Sequence, residues 1–454
     1  MTPPNAMQLL QSKFCIYSLG SRVRLGVRGE VAALVMGVSQ PELKMYPRED
    51  GNLLMARELE AQQFTGNVKD VIASFWRDPG TKVYDEVAFS PLAMPTNVLN
   101  FWQDPVVAPA PGAWSVIHEF LWEVICDGRK EVYEYLVSYL AHMVQRPEEK
   151  PGIMIVMLGA QGTGKGTLFK LLRNVWARTC LLVSNVAEVV GGFNAALQHN
   201  YVICMDEALF EGDMKSVERL KSLITEKVVT IEQKFMPRCS IESFHRFFAA
   251  SNSYHFAHVD HDDRRFLFLR VSSSKKGDGT YWDKINTAIE DKQILAAMVH
   301  DLKTMNLANF SVRQRPITDE HTSQKALSLT GFYRYWLEVL EGGELPTELG
   351  SFQPPPWTPD VFVSSNALLG GFRRYDRNAE RYKPLQGTGL RKKLRDVCPG
   401  AKECRRAGDR VRGYLLPDLA TARTQFEVYL GSAWAWDTGD ALGGDSKPGN
   451  GPGP

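Results

Sequence analysis

Residues 159–167 read Gly-Ala-Gln-Gly-Thr-Gly-Lys-Gly-Thr, and with their surroundings they constrain this chain more than any other stretch. Before them, Ile153 to Leu158 is an unbroken apolar run, the pattern of a buried strand. After them, Leu168, Leu171, Leu172 and Val175 recur at helical spacing. A strand, a glycine-rich loop, a lysine and a helix in that order make a P-loop. The loop runs through Gly159, Ala160, Gln161, Gly162, Thr163 and Gly164, and its glycines let the backbone close around phosphate oxygens. The N–H groups that open the helix then point at the anion, and the helix dipole favours it. Lys165 adds a point charge for the β- and γ-phosphates. The loop therefore predicts a bound nucleoside triphosphate.

One position departs from the usual pattern. The residue after the lysine is normally Ser or Thr, whose hydroxyl binds Mg²⁺. Here it is Gly166, and the hydroxyl comes one step later on Thr167. The string Gly-Lys-Gly-Thr resembles nucleoside monophosphate kinases as well as some helicases, so the loop alone does not say which reaction binding leads to.

Bulk properties set outer bounds. At 454 residues the chain exceeds a single core and predicts two to four domains. Hydrophobic content of 44% and charged content of 23% are those of an ordinary globular protein. A net charge of +1 excludes a uniformly basic or acidic chain. Seven cysteines without a C-x-x-C pair point away from a disulfide framework and towards a reducing cytoplasm. The sequence carries neither a signal-peptide pattern nor an apolar run long enough to span a membrane.

Along the chain, residues 1–110 are hard to assign; β-type runs such as Val31 to Met36 alternate with turn-rich segments. Residues 111–150 predict a helical hairpin. Trp114, Ile117, Leu121 and Val124 make one stripe, and Val132, Leu136, Tyr139 and Met143 the other, around Asp127-Gly128. The P-loop domain is expected over 151–310. Residues 311–360 predict an amphipathic helix around Phe332, Trp336, Val339 and Leu340, then a Pro-rich linker. Residues 361–437 form a basic C-terminal domain, and 438–454 a disordered tail.

Hydrolysis needs more than a P-loop. About forty residues downstream, Tyr201 to Met205 is an apolar strand ending in Asp206 and Glu207, a Walker B pattern. Asp206 can hold Mg²⁺ and Glu207 can orient the attacking water. Phe247 to Ser251 is another apolar run, ending in Asn252; in P-loop motors a strand beside Walker B often carries such a γ-phosphate sensor, and a plain turn former is the alternative. Then Arg264 and Arg265 open the strand pattern Phe266 to Leu269. Arg265 is the candidate finger reaching a neighbouring subunit's phosphate; the alternative is a surface pair bridged to Asp262 and Asp263.

Together these segments resemble superfamily-3 helicases of the AAA+ class, and in particular phage and prophage primase-helicases related to the poxvirus type. The matching pieces are GAQGTGKGT (159–167), ICMDEA (203–208), FFAASN (247–252) and DRRF (263–266), within about 110 residues. Further upstream, LNFWQDP (99–105) is similar too. No primase active-site pattern stands in residues 1–110. The resemblance implies a further motif between Walker B and the sensor strand, a loop that carries DNA contacts into a central pore. Lys221 and Lys234 match its two basic positions, and Phe235 could stack on a base. A surface lysine and a core phenylalanine are the alternative.

The stretch 361–412 holds fourteen Lys/Arg against five Asp/Glu, a local excess of nine. Thr388 to Val397 reads as a basic helix, and Ala401 to Pro417 as two short strands around Ala407-Gly408-Asp409. Helix then hairpin looks like a winged helix, a module that lays one helix in the major groove; a solvated surface or a protein-docking module would carry the same charge.

The expectation is an α/β fold: a P-loop AAA+-like core with a parallel sheet, a helical collar before it and a winged-helix-like domain after it. The expected function is ATP-driven unwinding of DNA for a phage or mobile element in a bacterial cytoplasm. The expected partners are single-stranded and duplex DNA, further copies of the chain in a hexameric ring, and a separate primase or polymerase. An ATP-dependent origin binder or loader without unwinding, and a nucleotide kinase, are the alternatives.

Overall fold

The computed structural model describes residues 3–19, 22–32, 39–208, 210, 213–232, 238–253, 255–260, 262–348, 353–376 and 385–436. The chain divides into two compact units, Met1–His258 with Arg264–Glu320, and Val259–Asp263 with His321 onward. No helix among the described residues is long and apolar enough to cross a membrane.

The centre of the first unit is a five-stranded sheet. Its order is Phe266–Arg270, Met154–Leu158, Arg246–Ser251, Val202–Met205, Cys180–Val183, and all neighbours run parallel. Parallel strands need covering on both faces, which is why these runs are apolar without alternation. All five residues of Met154–Leu158 are buried, as are all six of Arg246–Ser251. Burying an aliphatic side chain contributes about 1.5–3 kcal/mol, so these two strands anchor the unit.

The expected helical hairpin forms and shares this core. Ser115–Glu119 runs into a π-helical stretch, Phe120–Ile125; a left-handed turn at Asp127 and Gly128 leads to Lys130–Gln145. Ile117, Leu121, Val124, Leu136 and Tyr139 pack in one cluster with Ile155, Leu168, Phe248 and Leu269. The hairpin is thus a wall of the sheet's own core.

At the end of the sheet where its strands begin, polar side chains are buried and linked. Arg246 donates to the carbonyls of Phe244 and Glu149, each at 2.7 Å, and to those of Arg146 and Pro147 at 3.2 and 3.3 Å. Its guanidinium lies 5.0 Å from the centre of the Tyr201 ring. Lys150 donates to Leu223 O at 2.7 Å and to Ser243 Oγ. Ser243 Oγ meets His245 Nδ1 at 2.7 Å, and His245 Nε2 meets Leu197 O at 2.9 Å. A carbonyl only accepts, so Nε2 carries the proton and Nδ1 accepts from Ser243. Burial, with the Lys150 charge, holds His245 down at about 3. Burial lowers Lys150 to about 7, with Arg246 adding to the shift.

Residues 1–110, unassigned from sequence, contain a four-stranded sheet ordered Ser39–Tyr46, Arg22–Ala32, Phe14–Leu19, Val83–Tyr84. Helices Pro3–Lys13, Arg48–Ala61 and Val68–Phe75 close a small core with it around Leu10, Phe14, Leu25, Met55 and Phe75. Of the apolar run Val31 to Met36, Val31 and Ala32 end a strand, and 33–36 lie outside the described residues.

In the second unit, helix Gly331–Gly342 buries Phe332, Trp336 and Leu340, as its periodicity predicts. The following Pro-rich segment is tied down as well: Leu345 is buried, and Trp357 Nε1 donates to Pro417 O at 2.9 Å. A three-stranded antiparallel sheet is ordered Val361–Ser364, Arg412–Leu416, Lys402–Arg405. Helices Ser365–Tyr375, Gly387–Val397 and Leu419–Leu430 pack their apolar faces in the same core, with Leu368, Leu394 and Phe426. The tail 438–454 lies outside the described residues.

Candidate functional site

A parallel sheet puts all its strand C-termini at one end, and that end is where chemistry collects. Gly159, which opens the P-loop, comes directly after Met154–Leu158, and its N–H donates to Ser251 O at 3.3 Å. Asp206 and Glu207 come after Val202–Met205, and Asn252 after Arg246–Ser251. The strand carrying Asn252 pairs with both of the others, so it sits between the P-loop and the two acids. One cavity of about 420 Å³ is bordered by Lys165, Thr167, Asp206, Glu207 and Asn252, together with Gln161, Gly162, Gly164 and Gly166.

The loop geometry is set by its glycines. Gly162 and Gly164 have φ of 80° and 98°, the left-handed region that only glycine enters freely. At Gly164 a Cβ would also lie 2.3 Å from the Trp282 ring. Helix Lys165–Val175 begins directly after Gly164. Thr163 is buried and donates to Ala160 O at 2.9 Å. Gly159, Ala160 and Thr163 therefore shape the loop from behind. Lys165 Nζ donates to Gly159 O at 2.6 Å and Ala160 O at 2.7 Å. Burial lowers its affinity for the proton; the charges of Asp206 and Glu207 raise it, and Lys276 lowers it again.

The acids are positioned by a strained turn. Glu207 has φ of 51°, left-handed without being glycine, and its N–H donates to Asp206 Oδ1 at 3.0 Å. Such a backbone costs on the order of 1–2 kcal/mol. Ala208 N, bonded to Ala250 O at 2.9 Å, holds the turn against strand Arg246–Ser251. At Gly166, a Cβ would meet nothing within 4 Å. The missing hydroxyl is thus not excluded by space.

The donor set fits a metal-bound triphosphate. Loop amides and a lysine are groups that could hold phosphate, and a hydroxyl such as that of Thr167 and a carboxylate such as that of Asp206 are oxygen ligands of the kind Mg²⁺ takes.

Two border residues, and one lysine beside Gly162, have no counterpart in the motifs. Trp282 and Asn286 line the cavity from helix Gly279–Glu290. Lys276 Cε would lie 4.0 Å from a Cβ on Gly162. They stand more than a hundred residues after the P-loop, beyond the last strand, and no local pattern ties them to it.

Other expected residues lie elsewhere. Arg265 is at the opposite end of the sheet: its carbonyl accepts from Met154 N at 2.8 Å, where the P-loop strand begins. The cavity does not include it. Lys221 corrects an expectation. It is 3% exposed on helix Met214–Thr225 and pairs with Glu218 at 2.8 Å, so it is not on a loop tip. Its neighbours Val217, Leu220 and Ile224 share its buried face at helical spacing, which is the reason. Lys234 and Phe235 lie outside the described residues; the strands before and after them, Val228–Ile231 and Cys239–Glu242, pair antiparallel.

Comparison with known proteins adds an outside view of these elements. A family described as of unknown function, DUF5906, matches residues 157–265, from the end of the P-loop strand to Arg265. A DNA primase-polymerase of Nitratiruptor phage NrS-1 is 26% identical over 207 residues. The chain is similar to a phage DNA primase-polymerase. The match takes in 43% of this chain and 28% of the relative, so it spans less than a third of that protein. Two apo structures of the NrS-1 C-terminal region superpose with a TM-score of 0.63 and 15% identity. They cover 91% and 92% of this chain and 99% and 100% of those chains. At that identity the likeness concerns the fold alone.

Proposed function

We propose that this chain is an ATP-dependent DNA helicase of the superfamily-3, AAA+ type, working in the replication of a phage or related mobile element. One observation carries the reading: Lys165, Thr167, Asp206, Glu207 and Asn252 border a single cavity. Within it, Asn252 ends the strand that separates the P-loop strand from the acidic one. A nucleotide kinase would leave Glu207 and Asn252 without roles.

In this reading Lys165 and the loop amides hold the phosphates of ATP. Thr167 and Asp206 hold Mg²⁺, whose charge offsets that of the β- and γ-phosphates. Glu207 orients and polarises water, and Asn252 senses the γ-phosphate. Arg265, at the far end of the sheet from its own cavity, completes the site of a neighbouring subunit. An arginine supplied that way implies a head-to-tail contact between copies, and a ring closes such contacts; six copies is the family expectation.

DNA contact falls to Lys234 and Phe235, without Lys221, and to the basic second unit. There Arg391, Lys392 and Arg395 are exposed on helix Gly387–Val397, and Lys402, Arg405 and Arg412 on the adjoining strands. A winged-helix-like placement would put that helix in a groove and the hairpin on phosphates, with salt-sensitive binding. A separate primase or polymerase is the partner expected at a fork.

The test is ATP hydrolysis by the full chain with and without single-stranded DNA, alongside displacement of a labelled strand. Stimulation by DNA and displacement support the helicase. DNA-independent phosphoryl transfer to an added nucleotide would favour the kinase.

A further inference from the structure

The cavity is larger than its phosphate end. Beyond the loop and the acids it is bordered by Trp282 and Asn286, four residues apart and therefore on one face of helix Gly279–Glu290. We propose that these two residues receive the nucleobase and select adenine; the inference rests on the triphosphate site described above.

The helix is fixed alongside the P-loop helix. Lys170 pairs with Glu290 at 2.6 Å, and Asn174 Nδ2 donates to Ile289 O at 2.6 Å. Trp282 is fixed as well. Its Nε1 donates to Lys275 O at 2.9 Å, its ring edge rests on Gly164, and Phe120 meets it edge-on at 6.1 Å. The ring is nevertheless only half-buried. An indole brings no charge to phosphates. What it offers in the cavity is a flat π-surface held still, and a base stacks on such a surface. A platform already fixed by its neighbours loses little freedom when a base arrives.

Asn286 supplies the edge contact. Its amide has an acceptor and a donor side by side, the pairing that matches an adenine's amino group and adjacent ring nitrogen. Lys170 Nζ donates to Asn286 Oδ1 at 3.4 Å, which orients the amide. A guanine presents a carbonyl where adenine has its amino group, so it faces Oδ1 with another acceptor. Turning the amide to suit guanine would break the Lys170 contact.

The experiment is equilibrium binding of ATP, GTP and inorganic tripolyphosphate to the full chain in Mg²⁺. The wild type is expected to prefer ATP over GTP about tenfold. Trp282→Ala should weaken ATP about tenfold and leave tripolyphosphate unchanged, and Trp282→Phe should restore most of the loss. Asn286→Ala should erase the preference for ATP over GTP. Equal weakening of tripolyphosphate and ATP in Trp282→Ala would make Trp282 a prop for the loop and overturn the proposal. So would an unchanged preference in Asn286→Ala. Lys165→Ala serves as the control for the underlying site: if the wild type binds none of the three ligands, the triphosphate reading itself fails.

Discussion

The two ends of the five-stranded sheet treat polar groups in opposite ways. Where the strands begin, Arg246, Lys150, Ser243 and His245 are buried, and their hydrogen bonds run to carbonyls and to one another. Where the strands end, Asp206 is half-buried, Glu207 and Asn252 are exposed, and the backbone is strained at Glu207. Inward hydrogen bonding makes the first end a brace. Polar groups gathered around open space make the second a candidate site. The same strands carry both, so a change at one end should register in a different measurement from a change at the other.

The largest expected effect is on rate. Glu207→Gln should lower ATP hydrolysis about 100- to 10,000-fold, the range for removing a general base, while nucleotide binding and the melting temperature stay near wild type. Loss of binding in that variant would mean Glu207 shapes the site and does not act on water. At the braced end the effect should fall on stability. Arg246→Met leaves several carbonyls and the Tyr201 face without a partner and should cost about 1–3 kcal/mol for each carbonyl left buried and unsatisfied, read in denaturant unfolding. A folded, stable Arg246→Met variant would break the contrast.

Acid should act through the braced end too. His245 is held at about 3, and His142 and His199 at about 4, in each case chiefly by burial. Each binds its proton less readily in the folded chain than at the unfolded value of about 6.5. The unfolded chain thus takes up more protons between those values. The stability from these groups is complete above about 6.5 and is lost as pH falls towards 4 and 3. Denaturation midpoints measured from pH 7.5 to 4 should decline, and His245→Gln should decline less steeply.

The smallest effect is at Gly166, exposed near the start of its helix with open space for a side chain. Gly166→Ala should stabilise the fold by roughly 0.5–1 kcal/mol. Gly166→Ser should do so slightly less and lower the Mg²⁺ concentration needed for hydrolysis. An unchanged Mg²⁺ requirement would show that Thr167 already supplies the hydroxyl.

Strand ends were the legible part of the sequence. Gly159 to Thr167, Asp206-Glu207 and Asn252 each come after an unbroken apolar run, and a parallel sheet brings such ends together. Trp282 and Asn286 were illegible because they reach the cavity through helix packing, which leaves no spacing to read. The charge of Lys221 misleads, although Val217, Leu220 and Ile224 already put it on a buried face. The sheet within residues 1–110 was hidden because the segment Arg22–Ala32 alternates arginine with small and apolar residues.

The most direct test of the central claim is strand displacement on 3′- and 5′-tailed duplexes, with ATP hydrolysis monitored in the same reaction. The account predicts displacement of one tailed substrate, hydrolysis stimulated by single-stranded DNA, and loss of both in Lys165→Ala. Hydrolysis with no displacement of either substrate would contradict it.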